Sequence, residues 1–528
     1  MLKSLLEKFE IAPVALQDIP GFPMEDWETR QAIYNDADNW FSGAELENLA
    51  TQTGSQIDLY PMRINPLPGA AAKHVATLFG EYEDDGRPLV YPKLTISKET
   101  DLSRAEEIEE ILYILWSESH GRALMVKNGF LSQIYGGCVW KATYIPWEKW
   151  PSSSRTYPVR IEALHPKFFL GYPKAEDDYY LGEAWIVREY SRVQAREYGY
   201  TRDNSKVLGV EHWLPDFYEV FMDGKVAVKN GEELQGKNPF QFIPIVYIPH
   251  HRDNGFYGTN IIDNVKNILK ELNRAWGDLG DAINDDSHPI IATRNTQGSI
   301  QVRKVNEYLT VVDIGSVSGI ATGEQQPDIF EVNKPRASTT MTTVIEDTYK
   351  QFRRDAYIPP VADGEDEGSQ RSGVTLDIRF WPLTSHTKLE RVHWSSGLNV
   401  FESMLLRMLA IKKLAAITEE ESKWRIKQKW APQLPRDRAA QVDEWTKRAV
   451  ADIGSIETLL EATGDIEDVG RERQRILDWK KDKLEVETEA EMTIQDSKNK
   501  AAEKAAKLQG EALAKKPTDK PAPGGQKP

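Results

Sequence analysis

Two long helical stretches, each with one apolar stripe and separated by a strand-rich segment, constrain this chain more than any other feature. In the first, about 260 to 284, Ile261, Val265, Ile268, Leu272, Ala275, Leu279 and Ala282 recur at three- and four-residue steps. Ile262, Leu269, Trp276 and Ile283 widen that stripe. Asn260 suits the N-cap, because its side-chain oxygen can accept an orphan backbone N–H, and Pro289 ends the run. At 1.5 Å per residue the rod is about 36 Å long. The second rod, about 336 to 357, carries Met341, Val344, Ile345, Thr348, Phe352 and Ala356 and stops at Pro359-Pro360. Between them, Ile290–Thr293, Ile300–Arg303 and Tyr308–Val312 read as strands, punctuated by Gly298, Gly315, Gly319 and Gly323. Amphipathic rods demand a partner for their apolar faces. The expectation is that other copies of the chain supply it.

The remaining segments frame this unit. Residues 1 to about 125 read as mostly helical, with Ser103 and Glu106 in capping-box spacing ahead of Ile108, Ile111, Leu112 and Leu115. From about 130 to 250 the pattern is β-branched and aromatic, as in Tyr157–Ile161 and Trp185–Tyr190. Asp223-Gly224 sits between two such runs as a hairpin signal. Beyond the second rod lies an acidic, glycine-bearing loop, Asp363 to Gly368. A third helical region runs from about 372 to 417, with a kink expected at Trp381-Pro382. Shorter helices are expected after Pro435 to about 484. The charged, Ala-rich end from 485 is expected to be disordered.

Composition narrows the function. The 528 residues carry 66 Lys plus Arg against 82 Asp plus Glu, a net charge of −16, which gives no support for a tight, non-specific grip on DNA. It suits a protein that DNA passes without sticking. The single cysteine, Cys138, excludes an intrachain disulfide and fits synthesis in a reducing cytosol. Met1 to Glu10 lacks the pattern of a signal peptide, and the apolar stretch Phe240–Ile248 is too short to span a bilayer. No phosphate-binding loop, nucleophile elbow, zinc-protease helix or Cys-x-x-Cys pair is present. Adjacent His250 and His251 are expected on opposite faces of a strand, as surface residues and not as a metal pair. His386 and His393, seven apart, are expected on one helix face in a solvated or subunit-contact role. Asp285-Asp286 reads as a solvated helix end. No catalytic, metal or cofactor site is expected.

Four ordered strings carry a resemblance. The first is Pro249-His250-His251-Arg252-Asp253-Asn254-Gly255-Phe256-Tyr257-Gly258-Thr259-Asn260, leading into the first rod. The second is Leu272-Asn273-Arg274 through Asp278-Leu279-Gly280-Asp281-Ala282-Ile283 within it. The third is Gln370-Arg371-Ser372-Gly373-Val374-Thr375-Leu376. The fourth is Trp430-Ala431-Pro432-Gln433-Leu434-Pro435-Arg436-Asp437, followed by Ile453-Gly454-Ser455-Ile456-Glu457-Thr458. In this order and spacing over about 245 to 475, the chain resembles the portal proteins of tailed bacteriophages, of the siphophage type. It departs from the family at Thr259-Asn260, where a Ser is common after Tyr-Gly-x, and at Thr375, where the family has Ala. The first 245 residues are less distinctive.

The resemblance implies an α+β portal fold and a ring, commonly of twelve subunits, around a DNA channel at one capsid vertex. It implies a wing over 1–258, stem helices over 259–286 and 336–357, a strand-rich clip over 287–335 and a tunnel loop over 358–372. A kinked wing helix over 373–417, a helical crown over 418–484 and a disordered tail over 485–528 complete it. The implied partners are other copies of the chain, the terminase large subunit, the head–tail connector, major capsid and scaffold proteins, and double-stranded DNA. The implied location is the virion, after synthesis in the host cytoplasm. Twelve copies would carry a formal charge of about −190. Candidate channel residues are Lys350, Arg353, Arg354, Asp363, Glu365, Asp366, Glu367 and Arg371; for the basic groups of the second rod, ion pairs with Glu346, Asp347 or Asp355 are the alternative. Candidate docking residues for terminase and connector are Arg294, Arg303 and Lys304. A head-completion or scaffold protein without a channel is the competing reading. A nucleic-acid-processing enzyme would need a carboxylate cluster at strand ends, which the sequence does not offer.

Overall fold

The structure is a computed structural model of the chain. It describes residues 16–46, 63–80, 88–95, 102–146, 155–200, 206–229, 231–252, 255–287, 290–294, 301–306, 309–314, 328–331, 339–364, 373–434, 443–448 and 469–514. The chain divides into two compact units, 1–435 and 436–528.

The first unit begins with helices α1 (Met24–Ser42) and α2 (Leu67–Phe79), then strand β1 (Val90–Thr95), α3 (Leu102–Glu118) and α4 (Gly121–Tyr135). Strands β2 (Gly137–Tyr144), β3 (Val159–Leu164), β4 (Phe169–Pro173), β5 (Leu181–Ser191), β6 (Lys206–Trp213), β7 (Phe217–Met222) and β8 (Ile245–Pro249) follow. One antiparallel sheet orders β8-β2-β3, with Val246 opposite Trp140 and Ala163 opposite it on the other side. A second runs β4-β5-β6-β7 and is extended by two short strands, Lys225–Val226 and Gln235–Lys237. The Asp223-Gly224 turn has φ of 46° and 76°, the left-handed pair a two-residue hairpin requires. Ser103 lies inside α3 and does not cap it.

Next comes the unit that the stripes announce: the rod α5 (Ile261–Ser287), strands β9 (Ile290–Arg294), β10 (Gln301–Asn306), β11 (Leu309–Ile314) and β12 (Asp328–Glu331), then the rod α6 (Thr339–Asp355). Its sheet is ordered β10-β11-β9-β12, with β9 and β11 parallel and the other pairs antiparallel. The helix α7 (Gly373–Lys412) and strand β13 (Arg425–Trp430) end the first unit. α7 runs on through Pro382, and nearby carbonyls gain side-chain donors: Thr384 Oγ1 to Phe380 O at 3.1 Å and Ser385 Oγ to Pro382 O at 3.0 Å.

Two features differ from the sequence-based expectation. β13 pairs antiparallel with β1, Val90 opposite Trp430, so 425–430 completes the same unit as the N-terminal helices and does not open a separate crown. In the second unit, α8 (Val469–Ala514) continues through most of the segment expected to be disordered. Its Ala, Glu, Lys and Gln residues are strong helix formers, which outweighs their charge.

The largest core surrounds α7. Trp394, Leu398, Phe401, Leu405 and Leu409 pack there against Trp116 of α3 and Trp140 of β2. Trp116 and Trp140 meet edge to face, centroids 5.1 Å apart. A second core takes Ile261, Val265, Leu269, Leu272 and Leu279 from α5 and Ile345 and Phe352 from α6, together with Trp40, Phe41, Leu67 and Ala71. The rods therefore bury much of their stripes against each other and the N-terminal helices of the same chain. The expectation that only neighbouring copies can cover them is corrected. Exposed remnants are Ile283 and Val344.

Candidate functional site

The base of α5 is held from several directions. Asn260 caps it, with Oδ1 accepting from Asp263 N at 2.8 Å. Gly136, at φ 77°, lies so close to the approach to the rod that a Cβ would fall 2.3 Å from Gly258 O. Tyr247 links both sides, donating to Gly136 O at 3.1 Å and accepting from Gly258 N at 3.2 Å. Halfway along the rod, Asn273 exchanges two hydrogen bonds of 3.0 Å with the backbone of Ile64.

At the end of α6 the candidate basic residues divide. Lys350 is exposed and pairs with Asp347 at 3.3 Å, and Arg354 is exposed. Arg353 is buried, its guanidinium 3.6 Å from Asp363 and 5.1 Å from the Tyr349 ring centroid. Asp363 also pairs with Lys73 of α2. Within the subunit Arg353 thus has an ion-pair partner, the alternative held open for the basic groups of this rod, although the acid is Asp363 and not Glu346, Asp347 or Asp355. Asp363 is the last residue of a short 3-10 turn, Pro360–Asp363, that ends on Gly364 at φ 81°. Glu365, Asp366, Glu367 and Arg371 lie outside the described residues.

Arg294, Arg303 and Lys304 take backbone positions on the strands between the rods. Arg294 is paired with Ile314 and Asp328, Arg303 with Val311, and Lys304 with Thr310. Their side chains lie outside the described set, as do those of Asp285 and Asp286.

Two features of α7 had no clear sequence signal. Ile378, Trp381, Leu389 and Val392 are 69%, 61%, 60% and 62% exposed. At 3.6 residues per turn they fall within an arc of about 80°. Their opposite face, from Leu383 through Trp394 to Phe401, is buried. An exposed apolar row of this length, on a helix whose other side is fully packed, marks a contact surface.

The second feature is a histidine cluster, which corrects the reading of His250, His251 and His386 as surface residues. The ladder of β8 ends at Pro249, so strict alternation lapses. His250 is then 2% exposed and His251 half-buried, their ring centroids 4.5 Å apart. Both face α7, where His386 and Glu390, one turn apart, are buried. His250 Nε2 contacts Glu390 Oε1, and His251 Nε2 lies 2.9 Å from His386 Nε2. Burial lowers the His251 imidazole to about 4, helped by His250, and also holds His386 neutral. Burial opposes the charge of Glu390, yet His250 beside it keeps the carboxylate ionised. His393 departs from this group, its Nδ1 3.2 Å from the Tyr179 hydroxyl.

No helix among the described residues is long and apolar enough to cross a membrane. A comparison with curated proteins finds no match. The family described as phage portal protein, SPP1 Gp6-like, matches residues 149–488, which takes in the strand-rich half of the first unit, both rods with the strands between them, α7, and the start of α8. With well over half of its length matched, the chain belongs to the SPP1 Gp6-like family of phage portal proteins.

Proposed function

We propose that the chain forms a closed ring, as a dodecamer, at the unique capsid vertex, where it conducts DNA during packaging and ejection. Residues 1–258 form the wing and the rods α5 and α6 the stem. The strands between the rods form the clip that docks terminase and then the head–tail connector. The segment around 358–372 lines the narrowest part of the channel. Among the former candidates, Lys350 and Arg354 in the stem, and Glu365, Asp366, Glu367 and Arg371 in the loop, remain as groups facing DNA. Capsid and scaffold proteins contact the wing. The chain acts as a structural part and catalyses no reaction.

Besides the family, the exposed row Ile378, Trp381, Leu389 and Val392 carries the ring reading. A helix presenting this much apolar surface on its outer side gains by burying it in a head-to-tail contact, and a cyclic arrangement repeats that contact without leaving an end. Negative-stain images and mass photometry of the purified protein test it. Closed rings with a central hole are expected, and the double variant Trp381→Glu, Leu389→Glu should shift the population toward single subunits. A wild-type protein that stays monomeric across micromolar concentrations would refute the proposal.

A further inference from the structure

His250, His251, His386 and Glu390 each offer one ligand atom, and the four atoms lie within 4.8 Å of one another. A tetrahedral site with metal–nitrogen bonds of about 2.1 Å has edges of about 3.4 Å. Taking Nε2 as the His386 ligand, its 2.9 Å separation from His251 Nε2 is somewhat shorter than that edge. Side-chain rotations alone would open the group onto one ion.

The surroundings are those of a metal site. His250 Nδ1 lies 2.9 Å from Thr259 O, an acceptor only, so Nδ1 carries a proton and donates it. Nε2 is then the atom turned toward Glu390. Ligating histidines are commonly fixed in this way, one ring nitrogen on a backbone carbonyl and the other on the metal. Glu390 Oε1 accepts from Gln133 Nε2 at 2.8 Å, which orients the carboxylate from behind. Glu390 is 0% exposed, and its second oxygen has no hydrogen-bond partner. A fully buried carboxylate oxygen without a donor is costly, and a cation removes that cost.

We propose that these four residues bind one divalent transition-metal ion, of the zinc class, in a His3Glu site. Three imidazoles and one carboxylate in tetrahedral reach favour zinc over magnesium or calcium, which prefer oxygen donors. With four protein ligands the site is structural. Its place explains what it would do. His250 and His251 immediately precede the stretch that leads into α5, and His386 and Glu390 lie on α7. Tyr357, just past the end of α6, stacks on His386 with centroids 4.3 Å apart. His74 of α2 lies 5.0 Å from the same ring and bonds Ala356 O at 2.7 Å. The ion would fasten α7 to the root of the first rod, directly beside the root of the second.

The test is the metal content of tag-free wild-type protein, made in zinc-supplemented medium and measured by plasma mass spectrometry. One zinc per subunit is expected, in rings and in single subunits alike, so the result does not depend on assembly. Cobalt(II) substituted for zinc should give the intense visible absorption of a tetrahedral ion. Glu390→Gln and His386→Ala should lose the ion, and His393→Gln should keep it. Gln133→Leu, which removes only the orienting donor, should weaken zinc binding about 10- to 100-fold. Wild-type protein that holds no stoichiometric zinc after growth and reconstitution with zinc chloride would overturn the proposal. So would retention of the ion by Glu390→Gln and His386→Ala together.

Discussion

Glu402 offers a direct test of how the core around α7 is balanced. It lies on α7, fully buried, between Trp116 of α3 and Gln428 of β13. Trp116 Nε1 donates to one carboxyl oxygen at 3.1 Å and Gln428 Nε2 to the other at 2.6 Å. Burial pushes its carboxyl up to about 8, and these two donors only partly offset the effect. In the unfolded chain the same group titrates near its ordinary value of 4.5. Between those values the folded state holds one more proton than the unfolded state, so stability falls as pH rises. The slope is about 1.4 kcal/mol per pH unit, and about 3 kcal/mol of the stability present below pH 4.5 is gone at pH 7. Glu402→Gln keeps the size and removes the titration. Urea unfolding of both proteins, at one protein concentration and at pH 5.5, 6.5, 7.5 and 8.5, reads the difference. The variant should gain on the wild type at each step. Parallel curves across that range would refute the argument. An infrared carbonyl band from a protonated acid at neutral pH, absent in Glu402→Gln, would be its spectroscopic counterpart.

Three further outcomes follow from the geometry. Lys141 and Glu211 form a buried pair at 2.5 Å, and Lys141→Met should cost about 1–3 kcal/mol in the same unfolding assay, because Glu211 keeps the Trp213 N–H at 2.9 Å and the nearby Arg188 charge; no loss would refute a role for the pair. Charge reversal at Arg294, Arg303 and Lys304 should leave rings intact in mass photometry and reduce DNA packaging in a reconstituted terminase reaction; loss of rings with packaging spared would refute the docking role. Replacing Glu365, Asp366 and Glu367 with Gln or Asn should leave rings intact and change DNA retention, because like charge facing phosphate keeps contact weak over about 10 Å; unchanged retention would assign that loop to solvent.

What could be read beforehand was local. The Asn260 cap, the Asp223-Gly224 turn and the stripes of both rods depend on neighbours within one turn or one hairpin, and the structure has all three. The partner of each stripe was not legible, because nothing in the periodicity of α5 says that Trp40 and Leu67 will cover it. Pairing of β1 with β13 couples residues from opposite ends of the first unit, and neither strand signals the other. The histidine cluster shows the same limit. The seven-residue spacing of His386 and His393 says only that they share a helix face, whereas Glu390, one turn from His386, lies on the buried face with Leu383, Thr387 and Trp394. Only the folded chain brings His250 and His251 to that face. In α8, high charge suggests disorder, but the residues bearing it favour helix.

The β1–β13 ladder also orders events in time. Thr95 waits for Arg425, and everything between them, both rods included, is an excursion within the first unit. At roughly 5–20 residues per second, a ribosome spends on the order of tens of seconds between making the two strands. Through that interval β1 has no ladder partner, and Leu94 and Val90 lack the cover that Ile426 and its neighbours later give. Closing so long an excursion adds little entropy beyond that of a shorter one, since the cost grows only with the logarithm of length. The delay is therefore kinetic. A nascent chain completes the core around β1 only after residue 430 is made.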